Sequence, residues 1–287
     1  MAKVTRKPTK STKTSRAAGR PAKAPNKKSA KAARAPAPAK IASTTWTPTS
    51  APIPPRRPLK PLHSLHFPNE TPVYRAARNR LLEEEIALRR QIERVATQRR
   101  RLPYGGEVPE NYVFEEGLDV LPFSGPISLS ELFGEKKTLV IYSFMYGPKM
   151  ERPCPSCTSI LDGLNGQAVH IGQRVALVIV AKSPIERIRA FAAERGWSNL
   201  RILSSARNSY NLDYHGEDKD GEQWPVLNVF AKKDRGIHHT YGTEMLFAPA
   251  DPGQDHRHVD LIWPLWNMLD LTPEGRGLDW RPRLKYD

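Results

Sequence analysis

The segment from residue 68 to residue 103 repeats apolar residues at a spacing of seven, which places them on one face of an α-helix. These residues are Tyr74, Leu81, Leu88 and Val95. Thr71 followed by Pro72 is typical of a helix N-cap and first helical residue, and Pro103 ends the pattern. The sequence therefore predicts an amphipathic helical extension over residues 68–103, which either packs on its own domain or pairs with a second copy of the chain.

From residue 104 to residue 287, short apolar runs alternate with segments of helical periodicity. The predicted strands are "NYVFEEG", "KTLVIYSFMYG", "RVALVIVA" and "LRILSS". The predicted helices are "ISLSELFG", "SPIERIRAFAAERGW", with Ser183 as its cap, and "HVDLIWPLWNMLD". The stretch "WPVLNVFAKKDRGIHHTYG" is typical of a hairpin that turns at "KKDRG". Strands separated by helices predict an α/β domain with a mostly parallel centre, to which the hairpin adds antiparallel strands.

The beginning of the chain has a different composition from the rest. Residues 1–66 contain 16 Lys or Arg and no Asp or Glu, whereas residues 67–287 carry 29 basic against 30 acidic residues. The net charge of +15 therefore lies in this segment. Because it has too few apolar residues to form a core, residues 1–67 are predicted to be a disordered basic tail. Such a tail is typical of an arm that contacts nucleic acid without sequence preference; the alternatives are a solubilising extension and a targeting peptide.

Two further features bear on the location of the protein. The apolar runs, such as residues 175–181, are far shorter than the roughly 20 residues that a membrane span needs. Two cysteines are too few for the disulfide scaffold of a small secreted protein. We therefore expect a cytoplasmic protein without membrane contact, and the basic tail adds the expectation that it associates with the nucleoid.

Cys154 and Cys157 are separated by two residues and follow the predicted strand "KTLVIYSFMYG". A thiolate at a helix N-terminus is stabilised by the helix dipole and by free backbone N–H groups, which lowers its pKa. A second cysteine one turn later can attack the mixed disulfide that the first one forms, and so release the product. The spacing and position predict a redox pair, with metal binding and chance proximity as alternatives.

Several stretches of the chain together resemble one protein family. They include "YSFMYGP…RPCPSCTSILDGL", "VAKSPIERIRAFAAERGW" and "LDLTPEGRG". From Tyr74 to Tyr286 the chain resembles an uncharacterised family of thioredoxin-like proteins, mainly bacterial, and "ISLSELFGEKKTLVIYSFMYG" is similar to the lead-in of peroxiredoxin and other redoxin domains. The resemblance implies a thioredoxin-like mixed sheet flanked by helices, with an N-terminal helical extension. It implies no substrate.

The same resemblance implies a role for Pro225. Thioredoxin-like folds place a cis-proline beside the cysteine pair, at the start of the strand that opens a terminal hairpin. Trp224 and Pro225 have this position in the chain. The resemblance thus implies that Pro225 is cis and shapes the substrate groove, whereas an ordinary trans proline at the start of a strand is the alternative.

The residues around the cysteine pair differ from those of the better studied relatives. Pro155 and Ser156 separate the two cysteines, as in the Cys-Pro-x-Cys motif of glutaredoxins, and Pro153 replaces the aromatic residue of thioredoxins. The peroxiredoxin pattern of Pro, then Thr or Ser, then Cys is not met. We therefore expect dithiol–disulfide exchange rather than peroxidase chemistry. Lys149 and Arg152, in the preceding loop, offer positive charges that could favour a thiolate; the alternative is that they are incidental surface charges.

Histidines supply the main alternative chemistry, which is metal binding together with the cysteines. His238 and His239 lie in the predicted hairpin, and His256 and His258 lie nearer the end of the chain. Their spacing is not that of a zinc finger. Because neighbouring residues of a strand point to opposite faces, at most one of His238 and His239 can face the cysteines.

We therefore predict a thiol–disulfide oxidoreductase in which Cys154 attacks, Cys157 resolves and Pro225 shapes the groove, without a cofactor. Its expected partner is an unidentified protein thiol or disulfide. The alternative is a non-catalytic or metal-binding thioredoxin-like scaffold that residues 1–66 tether to nucleic acid.

Overall fold

The structure, a computed structural model, describes residues 62–117, 125–277 and 279–286. The predicted basic tail lies outside these residues as far as residue 61, so its disorder and its contact with nucleic acid stay predictions. Within the described part of the chain, no helix combines the length and the apolar character that crossing a bilayer requires.

The predicted helical extension contains one long helix, α1 (Pro72–Arg100). The Thr71 hydroxyl caps it by accepting a hydrogen bond from the Tyr74 N–H at 3.1 Å. This bond satisfies one of the N–H groups that the first turn of a helix leaves unpaired. No residue of α1 is buried, and Tyr74, Leu81 and Leu88 of its apolar stripe are exposed. Near the end of the helix, the Arg99 guanidinium lies 5.4 Å from the centre of the Tyr241 ring.

The rest of the described chain forms one seven-stranded sheet with helices on both faces. The strands are β1 (Val113–Glu115), β2 (Pro126–Ser128), β3 (Thr138–Ser143), β4 (Ala176–Ala181), β5 (Ile202–Ser204), β6 (Leu227–Lys233) and β7 (Gly236–Gly242). The helices are α2 (Leu129–Leu132), α3 (Pro155–Gly172), α4 (Ile185–Arg195), α5 (Tyr210–Asp213) and α6 (Pro264–Leu269). The order across the sheet is β2-β1-β5-β4-β3-β6-β7.

Parallel and antiparallel pairs divide this sheet as the sequence predicts. β3, β4 and β5 are parallel neighbours, connected through α3 and α4. β6 runs antiparallel to the other side of β3, and β7 completes the hairpin. The predicted thioredoxin-like α/β fold, a mixed sheet flanked by helices, is confirmed by this arrangement.

Alternate side chains of β3 belong to two separate cores, because successive residues of a strand point to opposite faces. Leu139 and Ile141 pack in one core, to which α2 and α5 also contribute. Tyr142, and Phe144 just after the strand, pack in the other core with residues of α3, α4 and α6. The end of β3 is therefore the point from which the chain enters the helix that carries both cysteines.

The last predicted helix, "HVDLIWPLWNMLD", is not continuous. The structure has a turn of 3₁₀ helix at Asp260–Ile262, followed by α6. Trp263 between them has φ −123° and ψ 87°, outside the helical region. Pro264 explains the break, since a proline disfavours helical geometry in the residue before it and has no N–H to donate.

Candidate active site

The loop after β3 places Cys154 at the N-terminus of α3. The Cys154 N–H donates to the Met145 carbonyl at 3.0 Å, which ties the helix start back to the end of the strand. The Cys154 carbonyl accepts from the Thr158 N–H at 3.0 Å and from the Thr158 hydroxyl at 2.9 Å. Pro155 occupies the first helical position, where its lack of an N–H costs nothing. Cys154 is therefore the N-cap residue of an 18-residue helix.

The two cysteines, both free thiols, differ in their environment. Cys154 is partly exposed, whereas Cys157, one turn further along α3, is only 1% exposed. The pKa of Cys154 is lowered from 9.0 to about 6, first by the hydrogen bond from the Cys157 side chain and then by the backbone N–H groups of Cys157 and Ser156. Burial and the neighbouring Cys154 raise the pKa of Cys157 well above its ordinary value. The outer thiol is thus a thiolate at neutral pH, while the inner one keeps its proton.

The basic residue Arg152, in the loop before the cysteines, has partners other than the Cys154 thiolate. Arg152 donates to the Glu194 carboxylate at 2.6 Å, and its guanidinium lies 5.1 Å from the centre of the Phe191 ring. Lys149 lies near Gly221, in the loop before β6. Because Arg152 is already paired, hydrogen bonds rather than a basic side chain account for the lowered pKa of Cys154.

Ser183, just before α4, and Arg187, on α4, form hydrogen bonds with the loop between β3 and the cysteines. The sequence predicts Ser183 as the cap of α4, but its hydroxyl instead donates to the Gly147 carbonyl at 3.1 Å. The Ser183 N–H donates to the Tyr146 carbonyl at 2.9 Å. Arg187 donates to the Met150 carbonyl at 2.6 Å, and its guanidinium lies 4.8 Å from the centre of the Tyr146 ring. The loop is thereby held at several points along its length.

Pro225 lies at the same end of the sheet as the cysteine loop. The Ser143 N–H, at the end of β3, donates to the Val226 carbonyl at 2.8 Å, and Pro225 is the next residue outward. The structure thus places Pro225 at the end of the strand from which the loop to Cys154 departs, and its cis geometry and its role in a substrate groove stay predictions. Trp224, just before it, is 38% exposed, and its ring centre lies 6.3 Å from that of the exposed Phe247.

Two further neighbours of this site are Tyr142, which the sequence does not single out, and His258, which it offers only as a metal ligand. Tyr142, on β3, is completely buried and belongs to the same core as Cys157. His258 comes from the C-terminal segment, and its Nε2 forms a hydrogen bond with the Pro225 carbonyl at 3.1 Å. Because successive side chains of a strand point to opposite faces, the sequence of β3 could have placed Tyr142 and Phe144 on one face. No local signal connects His258 with Pro225.

The hairpin histidines have hydrogen-bond partners other than the cysteines. The His239 Nε2 forms a hydrogen bond with the Asn228 side-chain oxygen at 2.9 Å, and its ring packs against Phe230, in the core on the other face of the sheet. His238 contacts the Gly105 carbonyl at 3.3 Å. Among the residues that the structure describes, no three His, Cys, Asp or Glu side chains are grouped so that they could hold a metal ion.

Several solved structures are similar to this chain. The peroxidoxin BcpB from Mycobacterium tuberculosis is 16% identical, over 57% of this chain and 96% of its own, with a TM-score of 0.36. The thioredoxin peroxidase I of Plasmodium yoelii is 16% identical, over 63% of this chain and 100% of its own, with a TM-score of 0.37. The reduced 2-Cys peroxiredoxin of Plasmodium vivax is 16% identical, over 57% of this chain and 97% of its own, with a TM-score of 0.37.

Among curated proteins, none matches the sequence. One family model does match, described as "Bacterial protein of unknown function (DUF899)", and it spans residues 65–286. Because the match covers α1, the whole sheet and the cysteine loop, the chain belongs to this bacterial family of unknown function.

Proposed function

We propose that this protein is a thiol–disulfide oxidoreductase in which Cys154 is the nucleophile and Cys157 the resolving thiol. The observation that carries the proposal is the unequal placement of the two thiols at the start of α3. Cys154 is partly exposed at the helix N-terminus, and Cys157 is buried directly behind it. A two-step exchange needs an outer thiol that the substrate can reach and an inner thiol that it cannot.

The reaction proceeds in two balanced steps. The Cys154 thiolate attacks one sulfur of a substrate disulfide, forms a mixed disulfide with it, and releases the other sulfur as a thiolate that takes up a proton. Cys157 then loses its proton and attacks the Cys154 sulfur, which forms the Cys154–Cys157 disulfide and releases the second thiol. The substrate disulfide is reduced by two electrons, and a dithiol reductant returns the enzyme to its starting state.

The site favours the first step at neutral pH. The pKa of Cys154, about 6, makes it mostly ionised, and only the thiolate is nucleophilic. The raised pKa of Cys157 keeps the second thiol protonated until the mixed disulfide has formed. This order prevents both thiols from competing for the same substrate.

Pro225 and its neighbours form the wall against which a substrate would lie. Pro225 is held by the β3–β6 pairing on one side and by His258 on the other. The exposed rings of Trp224 and Phe247 extend this surface outward. We propose that an extended polypeptide carrying the disulfide lies along it, with apolar side chains on the two rings.

The test uses glutathione disulfide as the probe and the full chain as the protein. Wild type should release both glutathione molecules and end with a Cys154–Cys157 disulfide. Cys157→Ser should stop at a mixed disulfide on Cys154, visible by mass spectrometry. Cys154→Ser should not react, because the remaining thiol is buried. If Cys154→Ser reacts as fast as wild type, or if wild type accumulates the mixed disulfide, the proposal is wrong and the scaffold alternative gains support.

A further inference from the structure

Tyr142 carries a buried hydroxyl group without a hydrogen-bond partner among the residues that the structure describes. The residue is on β3, 0% exposed, and its side chain lies in the core that also contains Cys157. In the described part of the chain, its hydroxyl has no hydrogen bond of normal geometry. A buried hydroxyl without a partner is destabilising, and buried polar groups in folded proteins are nearly always paired.

The polar groups that act on the Tyr142 hydroxyl are the two cysteines. Burial raises the pKa of Tyr142 well above its ordinary value, and the neighbouring Cys157 and Cys154 raise it further. In return, the Tyr142 hydroxyl and the Met145 N–H lower the pKa of Cys157, although burial outweighs them. Tyr142 therefore keeps its proton at neutral pH, so towards a neighbouring thiolate its hydroxyl acts as a donor.

We infer that the Tyr142 hydroxyl is the hydrogen-bond donor for the Cys157 thiolate in the second step of the exchange. This inference rests on the proposed function for its place in the reaction, whereas the burial of both side chains in one core does not depend on it. While Cys157 is protonated, the Tyr142 hydroxyl has no hydrogen-bond partner among the described residues. When Cys157 ionises, its thiolate becomes the acceptor for this hydroxyl. A hydrogen bond to an ion is stronger than one to a neutral thiol, so the contact stabilises the charged form selectively.

The role follows from what the second step requires. Cys157 is buried and must become a thiolate where water cannot solvate the charge. Its proton leaves with the departing substrate thiolate, so the overall step needs no further reactant. Tyr142 keeps its own proton throughout and supplies, with the Met145 N–H, the stabilisation that water would otherwise give.

The other groups around Cys157 do not offer this donor. Cys154, on the same helix, is consumed in the mixed disulfide during the second step. Tyr146 belongs to the same core, but its ring lies against the Arg187 guanidinium at 4.8 Å. His258, from the C-terminal segment, donates through its Nε2–H to the Pro225 carbonyl. Its Nδ1 is buried without a hydrogen-bond partner among the described residues, but in the neutral ring this nitrogen carries no proton and can only accept. Tyr142, which shares a core with Cys157, is thus the donor that we assign to the inner thiol.

The first experiment separates the two steps in Tyr142→Phe. Formation of the mixed disulfide with glutathione, measured in the Cys157→Ser background, should keep its rate to within about two-fold. Release of the second glutathione from the Cys157-containing chain at neutral pH should slow by roughly ten-fold, the usual effect of a lost hydrogen bond to a charged group. The matched control is Tyr210→Phe, since Tyr210 is equally buried with an unpartnered hydroxyl but lies in the core on the other face. This control should leave both steps unchanged.

The second experiment does not depend on turnover. In the Cys154→Ser background, thiolate absorbance reports the pKa of Cys157, which Tyr142→Phe should raise by about one unit and Tyr210→Phe should leave unchanged. An unchanged Cys157 pKa in Tyr142→Phe overturns the inference. It is also overturned if Tyr142→Phe releases glutathione as fast as wild type, or if Tyr210→Phe slows the release as much as Tyr142→Phe does. If wild type releases no glutathione but the pKa rises as expected, the proposed function fails and the Tyr142 contact stands.

Discussion

The lowered pKa of Cys154 should depend on the thiol of Cys157, because the hydrogen bond from that thiol is its largest cause. Cys157→Ala removes the donor and leaves the backbone N–H groups of the helix start in place. A hydrogen bond to a charged group contributes about 1.5–3 kcal/mol, which corresponds to a pKa rise of roughly one to two units. With a pKa of about 6, Cys154 is roughly nine-tenths thiolate at neutral pH; after the substitution we expect between about a half and a tenth.

The rate of alkylation by iodoacetamide as a function of pH measures this pKa directly, since Cys154 is partly exposed and only the thiolate reacts. The midpoint should lie near 6 for wild type and higher for Cys157→Ala. Cys157→Ser, which keeps an O–H donor at the same position, serves as the matched control and should fall between the two. Equal midpoints for wild type and Cys157→Ala would refute the reasoning, because the helix N-terminus alone would then account for the shift.

Three further predictions test other parts of the structure. Arg152→Ala should leave the alkylation midpoint of Cys154 unchanged, because Arg152 pairs with Glu194; a rise in the midpoint would show that its charge acts on the thiolate. Burial lowers the pKa of His258, so its contribution to stability is present above the ordinary pKa of 6.5 and is lost as the pH falls through the folded value. On acidification, the free energy of unfolding of His258→Gln, measured with denaturant, should therefore fall less than that of wild type. An equal fall in both proteins would contradict this. The full chain should bind DNA with an affinity that falls as the salt concentration rises, as measured by fluorescence anisotropy. Deletion of residues 1–66 should abolish this binding, and unchanged binding would mean that the folded domain is responsible.

The order of the structural elements could be predicted from the sequence because each signal is local. Thr71 and Pro72 start α1 as their side chains dictate, and "RVALVIVA" becomes a buried central strand. The position of Cys154 after β3 and at the start of α3 follows from the same reasoning. These patterns involve residues a few positions apart, whose geometry depends mainly on the backbone they share.

Contacts between distant parts of the chain could not be predicted in this way. The local pattern predicts Ser183 as the cap of α4 and leaves open whether Arg152 acts on the thiolate, yet Ser183 donates to the cysteine loop and Arg152 pairs with Glu194. The packing of α4 beside this loop decides both partners, and neither partner is near in the sequence.

Local sequence patterns are sufficient to predict a cysteine pair at the start of a helix that follows a buried strand. The burial of Cys157, its place in one core with Tyr142 and the hydrogen bond between His258 and Pro225 become visible only in the folded protein. The physical reason is that burial and electrostatic environment depend on which surfaces meet when the sheet and helices pack, and those surfaces come from residues far apart in the chain.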